Sequence, residues 1–218
     1  MLNIPNRALV NKRIPKTKFY KQIGADIKLE SKFIDEIETI NWKYKLSEET
    51  TNLEPTEKVE EIQVFEINLK EGNISKEVLE NIDRVIPYPI LYVLKYEDNM
   101  KLTIAYKEKN KLDENKMVVY SYYESEWING HELNIDILKG LNLENVYDNI
   151  IRQLISGEGP IEDNIENLIE LDEKRKKLEK EIVKLENKIK KEKQFNKKVD
   201  FNIKLQKKRK ELAKFLKD

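Results

Sequence analysis

The residue types and spacing that come closest to chemistry lie in the run Glu61-Ile62-Gln63-Val64-Phe65-Glu66-Ile67-Asn68-Leu69-Lys70. Period-2 alternation puts Glu66, Asn68 and Lys70 on one face of a strand. A Mg²⁺-dependent nuclease of restriction-endonuclease type needs an acidic pair to hold the metal and a lysine near the attacking water. Its acid-x-Lys step reads here as Asn68-Leu69-Lys70, with a neutral amide where the second carboxylate belongs. On that reading Glu66 is the metal ligand and Lys70 stands near the water, with Asp35 and Glu36 on a preceding helix. The plainer reading, the solvent-facing end of a strand, is preferred.

Other chemistry is thin. The single histidine, His131, sits in the turn-like stretch Trp127-Ile128-Asn129-Gly130-His131-Glu132 and reads as a surface or loop residue, with no nucleophile or second ligand type beside it. Zero cysteines and one histidine exclude a disulfide framework, a Cys/His zinc site and a cysteine nucleophile. The 6 glycines are scattered and form no phosphate-cradling loop, which argues against nucleotide hydrolysis by this chain alone. No cofactor or metal is expected, and Mg²⁺ enters only with the nuclease alternative.

Charge is more informative. The 41 basic and 41 acidic groups cancel over 218 residues, and charged residues make up 38% against a usual ~25%. The balance hides a segregation: residues 1–28 carry +6, residues 29–171 carry −16, and residues 172–218 carry +10. Basic ends around an acidic body suggest intramolecular docking, an anionic partner, or both. Lys12, Arg13, Lys16 and Lys18, interleaved with Phe19 and Tyr20, could contact phosphates and stack on bases. Packing on the acidic body competes evenly with that reading. Lys207, Lys208, Arg209 and Lys210 form a second cluster; a solvated helix face is its commoner meaning, though the net +10 attracts nucleic acid.

These residues must be positioned by elements that the hydrophobic pattern makes legible. Residues 1–28 begin extended, because Pro15 restricts itself and Ile14. Phe33, Ile37 and Ile40 predict a helix over Glu30–Thr39. Trp42, Tyr44 and Leu46 alternate as a strand, and Val59–Leu69 is the clearest strand of all. Ser75 can cap a helix carrying Val78, Leu79, Ile82, Val85 and Ile86. Pro89–Tyr96 is apolar on both faces, as in a doubly covered central strand. Lys101–Tyr106 and Met117–Tyr123 are further strands, and Asn142 caps a helix with Leu143, Val146, Tyr147, Ile150, Ile151 and Leu154 on one side. The fold class is therefore α/β or α+β, with a mixed, roughly five-stranded sheet over residues 29–155. Residues 156–160, Ser-Gly-Glu-Gly-Pro, read as the linker to a basic tail, 161–218.

In the tail, Ile165, Leu168, Leu171, Leu178, Ile182, Leu185 and Ile189 follow coiled-coil spacing, interrupted by Arg175. The pattern weakens at Glu192–Asn196. Either one long helix stutters there or the chain folds back as a helical hairpin, and the weakening favours the reversal. Homo-oligomerisation through this segment is the competing outcome. The longest apolar run, Ile90–Leu94, is far below the ~20 residues of a membrane span, and the opening Met1–Arg7 lacks the apolar core of a secretory signal, so a cytoplasmic protein is expected.

Several phrases taken together carry a resemblance: Val10-Asn11-Lys12-Arg13-Ile14-Pro15-Lys16, Trp42-Lys43-Tyr44-Lys45-Leu46, Glu61–Ile67, Ile86-Pro87-Tyr88-Pro89-Ile90-Leu91, and Lys191–Lys198. Over nearly its whole length the chain resembles the prokaryotic family called domain of unknown function 4391. The resemblance brings no catalytic residues. It implies a DNA-linked defence role, because members tend to be encoded beside helicases and DNA methyltransferases in restriction-modification-like or phage-defence loci. The expected function is a non-enzymatic accessory protein that docks a helicase or methyltransferase and contacts DNA through its basic ends. The alternatives are the nuclease subunit above and a coiled-coil homodimer with no nucleic-acid role.

Overall fold

The computed structural model describes residues 2–109, 117–129, 136–156 and 164–215. His131 and most of the expected linker lie outside them. The chain divides into two units, Met1–Gly159 and Pro160–Asp218.

The first unit is built on a mixed sheet of 7 strands, larger than the five expected. In chain order its strands are β1 (Leu9–Ile14), β2 (Ile37–Leu46), β3 (Ile62–Leu69), β4 (Ile90–Tyr96), β5 (Asn99–Lys109), β6 (Met117–Glu124) and the short β7 (Ile128–Asn129). The order is sequential from β1 to β6, with β7 on the free stretch of β5. Neighbours run antiparallel except β3 and β4, which are parallel. The short helix α3 (Glu48–Thr51) follows β2, and the parallel pair needs a crossover, which the helix α4 (Lys76–Val85) supplies.

The two extra strands are β1 and β7, the latter within the stretch read as turn-like, and β2 also begins earlier than expected. Residues 1–28 are not an extended appendage. Leu9–Ile14 forms the edge strand on β2, and a bulge between Leu9 and Lys12 is accommodated by Asn11 at φ 48°. The helix α1 (Lys16–Gln22) follows and buries Phe19. The expected helix over Glu30–Thr39 lies earlier, as α2 (Ile27–Glu36), with Asp26 capping it by accepting from the Leu29 N–H at 2.8 Å. Ile37 and Ile40 belong to β2 instead. Both are fully buried, and a spacing of three places them near one face in helix and leaves them on opposite sides of a regular strand. A register irregularity between Ile37 and Thr39 reconciles the strand with burial of both.

The sheet is buried on both faces, and one core cluster gathers on the side of α2 and α4. Phe65, Ile67 and Leu69 of β3 and Ile90, Tyr92 and Leu94 of β4 pack with Phe33 of α2 and Val78, Leu79 and Ile82 of α4. β4 is the central, doubly buried strand that its composition predicts, with Ile90–Leu94 all at most 4% exposed. On the other face α5 (Leu143–Ser156) stacks Tyr147 on Tyr106 with ring centroids 6.4 Å apart. Asn142 caps α5, accepting from the Asn145 N–H at 2.8 Å. Ser75 does not cap α4 with its side chain; its N–H donates to Glu36 Oε2 at 2.6 Å.

The second unit is an antiparallel helical hairpin of α6 (Ile165–Lys191) and α7 (Phe195–Phe215). Its sense follows from pairs that run in opposite directions, Lys188 over the Phe201 ring and Lys208 with Glu181. The reversal uses no glycine. Glu192 leaves the helix at φ −75°, ψ 132°, and its carboxylate accepts the N–H groups of Lys193 and Gln194, both at 2.8 Å. The side chain thus satisfies donors that a glycine turn would leave to the backbone.

The seam differs from the expected one at Leu171, which is 48% exposed, while Ile169 and Asp172 are buried. The reason is angular. Two steps of three residues, Ile165 to Leu168 to Leu171, fall about 120° behind a fixed face at 100° per residue, whereas steps of four and three hold it. Leu178 and Ile182 are buried as expected, and Leu168, Leu185 and Ile189 are half-buried. Among the described residues no helix is long and apolar enough to cross a membrane.

Candidate functional site

The nuclease-like face of β3 is formed as alternation requires, because Phe65, Ile67 and Leu69 take the core side and leave Glu66 and Asn68 on the other. Cross-strand register then sets their neighbours. Asn68 stands opposite Thr39 on β2 and Lys95 on β4, and Glu66 opposite Asn41 and Val93. Lys95 Nζ pairs with Glu66 Oε2 at 2.7 Å, and Asn68 Nδ2 donates to Thr39 Oγ1 at 2.7 Å. Lys70 lies just past the strand, exposed, its backbone N–H bonded to Glu36 O at 3.0 Å. Glu36 itself is turned to the Ser75 N–H.

That geometry does not suit Mg²⁺. The ion takes hard anionic oxygens, and the Glu66 carboxylate is paired with a lysine while the amide beside it acts as a donor. Among the described residues no group of three or more Asp, Glu or His is placed to hold a metal.

Of the N-terminal cations, Arg13 and Lys16 come near Lys70. Lys12 and Arg13 are exposed on the edge strand β1, and Lys18 is exposed on α1. Lys16 is half-buried and donates to the Ile37 carbonyl at 2.7 Å. Its pKa is lowered, first by burial and then by the charges of Lys70 and Arg13, with Asp35 opposing. Arg13, Lys16 and Lys70 therefore share one positive potential, which sequence spacing alone does not bring together.

The C-terminal cluster divides. Lys208 pairs with Glu181 at 3.0 Å and Glu211 at 3.3 Å, and Arg209 with Glu186 at 2.7 Å, so both hold the hairpin together. These carboxylates raise the Lys208 pKa, chiefly through the hydrogen bond that its ammonium donates to Glu181. Lys207 and Lys210 are exposed and have no carboxylate partner among the described residues.

One constellation escaped the sequence reading. Lys107 on β5 reaches Asp83 on α4, both side chains at 0% exposure, with Nζ 2.9 Å from Oδ1 and 2.9 Å from the Ile86 carbonyl. Tyr122 donates to Asp83 Oδ2 at 2.6 Å, completing the carboxylate. Tyr147 accepts from the Lys107 N–H at 2.9 Å and donates to the Ala105 carbonyl at 2.6 Å, which closes the bulge where Lys107 turns inward. The signal was available: Thr103, Ala105 and Lys107 alternate on a buried face, and a lysine at such a position demands a buried partner. With both charged side chains fully buried, the network reads as a structural lock rather than a reaction centre.

A mixed sheet flanked by helices, joined in sequence to a basic helical hairpin, defines an α/β body with a helical appendage. The family model described as Domain of unknown function (DUF4391) matches residues 2–212, and the chain belongs to that family. Comparison with curated proteins and with solved structures gave no match.

Proposed function

We propose that the protein is a non-enzymatic accessory subunit of a DNA-directed restriction-modification-like or phage-defence system, which docks a helicase or DNA methyltransferase and contacts nucleic acid through basic surfaces. The observation that carries the accessory role is the engagement of Glu66 by Lys95 and of Asn68 by Thr39. A nuclease would need those groups aimed at a metal. The genomic setting implied by the family resemblance supports the partner class, and the +10 balance of residues 172–218 supports a polyanion contact.

The test is co-purification of the full chain with the helicase and methyltransferase encoded beside it, together with incubation of the pure protein with DNA and Mg²⁺ or Mn²⁺. A stoichiometric complex and intact DNA are expected. Cleavage that disappears in both Glu66→Ala and Lys70→Ala would overturn the accessory reading in favour of the nuclease.

A further inference from the structure

The hairpin sorts its charges between two sides. Glu181 and Glu186 of α6 reach across to Lys208 and Arg209 of α7. Lys180, Lys184, Lys188 and Lys191 recur at steps of four, four and three residues, which keeps them on one stripe of α6. All four are exposed, and none pairs with a carboxylate among the described residues. They line an open groove of about 590 Å³ whose apolar side chains are Val183 and, from α7, Phe201. Lys188 Nζ stands 5.7 Å from the centroid of the Phe201 ring. The one acidic group at the groove's edge, Glu192, is turned to the backbone N–H groups of Lys193 and Gln194.

We propose that this lysine-lined groove binds single-stranded nucleic acid, with the phosphates on the lysines and a base stacked on Phe201. Like charges one helical turn apart repel, so an unpaired ladder costs helix stability that a polyanion restores. Successive rungs rise about 6 Å along the axis, comparable with the advance of phosphates along an extended strand. The aromatic floor selects the strand type. In a duplex the bases are stacked and turned inward, whereas an unstacked base offers its face to a ring. Lys188 already occupies the ring face as a cation, and an incoming base takes that place while the ammonium moves to the neighbouring phosphate. The inference rests on the nucleic-acid contact of the proposed function and names its site and strand type; it is independent of any protein partner.

The experiment is fluorescence anisotropy of the full chain with labelled oligo-dT and with a duplex of equal length, at several salt concentrations. The variants are the fourfold Lys180→Gln, Lys184→Gln, Lys188→Gln, Lys191→Gln protein, Phe201→Leu, and a Lys207→Gln, Lys210→Gln comparison, each checked for wild-type helicity by circular dichroism. Glutamine keeps helix propensity, and the four lysines are solvent-facing, so the hairpin persists. Wild type should prefer oligo-dT. The fourfold variant should lower the salt dependence of log affinity by about 2 to 3, at roughly 0.7 per phosphate contact on a single strand. Phe201→Leu should weaken oligo-dT about tenfold and leave duplex binding unchanged. Unaltered oligo-dT affinity in the fourfold variant overturns the proposal. If only the Lys207/Lys210 variant loses affinity, the groove is wrong while the nucleic-acid contact of the proposed function stands. Absence of any binding by wild type removes both, and leaves the docking of a protein partner to its own co-purification test.

Discussion

Lys107 and Asp83 form an ion pair with no exposed side-chain surface, 2.9 Å apart, between a strand and the crossover helix that packs on it. Two charges so placed are worth keeping only if every remaining donor and acceptor is met. The second carboxylate oxygen has Tyr122, and the ammonium has the carbonyls of Ile86 and, at 3.3 Å, of Asp83 itself. The pair therefore fixes where α4 ends against β5, a choice that interchangeable apolar contacts would leave looser.

Removing one partner should be costly. Lys107→Met strands a buried carboxylate, and Asp83→Leu strands a buried ammonium; each should lower stability by about 3–5 kcal/mol in urea denaturation. The double variant should cost clearly less than the sum, because no lone charge is left. Additive losses would show that the two side chains do not act as a pair.

The same cluster predicts the alkaline limit. Burial, followed by the Asp83 charge, raises the phenol pKa values of Tyr92 and Tyr122 above 10.0, and burial is also the leading cause for Tyr147. Above pH 10 the unfolded chain loses these protons while the folded chain keeps them, so the unfolded state binds fewer protons and stability falls as pH rises. Each phenol contributes up to about 1.4 kcal/mol per pH unit. Lys107 has the opposite sign: burial lowers its pKa below 10.5, so its contribution rises over the window beneath that value. Three phenols outweigh one amine, and stability should decline beyond pH 10. Absorbance near 295 nm should show part of the 10 tyrosines ionising only as the far-UV signal collapses. Complete tyrosine ionisation in a still-folded protein would contradict this.

In the hairpin, packing should outrank surface charge. Leu205 is 5% exposed, and Leu205→Ala should cost about 2–5 kcal/mol, read as lost amide-exchange protection along α7. The Arg209–Glu186 pair has side chains 52% and 35% exposed, and a double-mutant cycle should return less than about 1 kcal/mol. A larger coupling than the Leu205 effect would reverse that ranking.

Gly140 is required by close approach. A Cβ there would lie 2.7 Å from the Val146 backbone N and 2.9 Å from the Asn145 carbonyl carbon, at the first turn of α5. Backbone cannot yield as a flexible side chain does. Gly140→Ala should destabilise the first unit by about 1–3 kcal/mol. A neutral effect on thermal unfolding would place that turn elsewhere.

By itself the sequence determined the features that depend on near neighbours. The alternation of Phe65, Ile67 and Leu69 against Glu66 and Asn68 assigned β3 and its two faces, and the all-apolar Ile90–Leu94 assigned a central strand, because period and burial are written in consecutive residues. The asparagine at position 142 and the weakened heptad after Ile189 marked a helix start and a reversal for the same reason. Tertiary structure alone decided what distance in sequence conceals. The edge strand at Leu9–Ile14 exists because β2 offers it a hydrogen-bonding partner, and no local signal reveals that neighbour. The partners of Glu66 and Asn68 were set by register, which joins residues 29 apart in the case of Asn68 and Thr39. The lysine stripe of α6 is distinguishable from the basic residues around it only once α7 has drawn Glu181 and Glu186 to its own cations. A charge has meaning through the charges beside it in space, and those are chosen by packing.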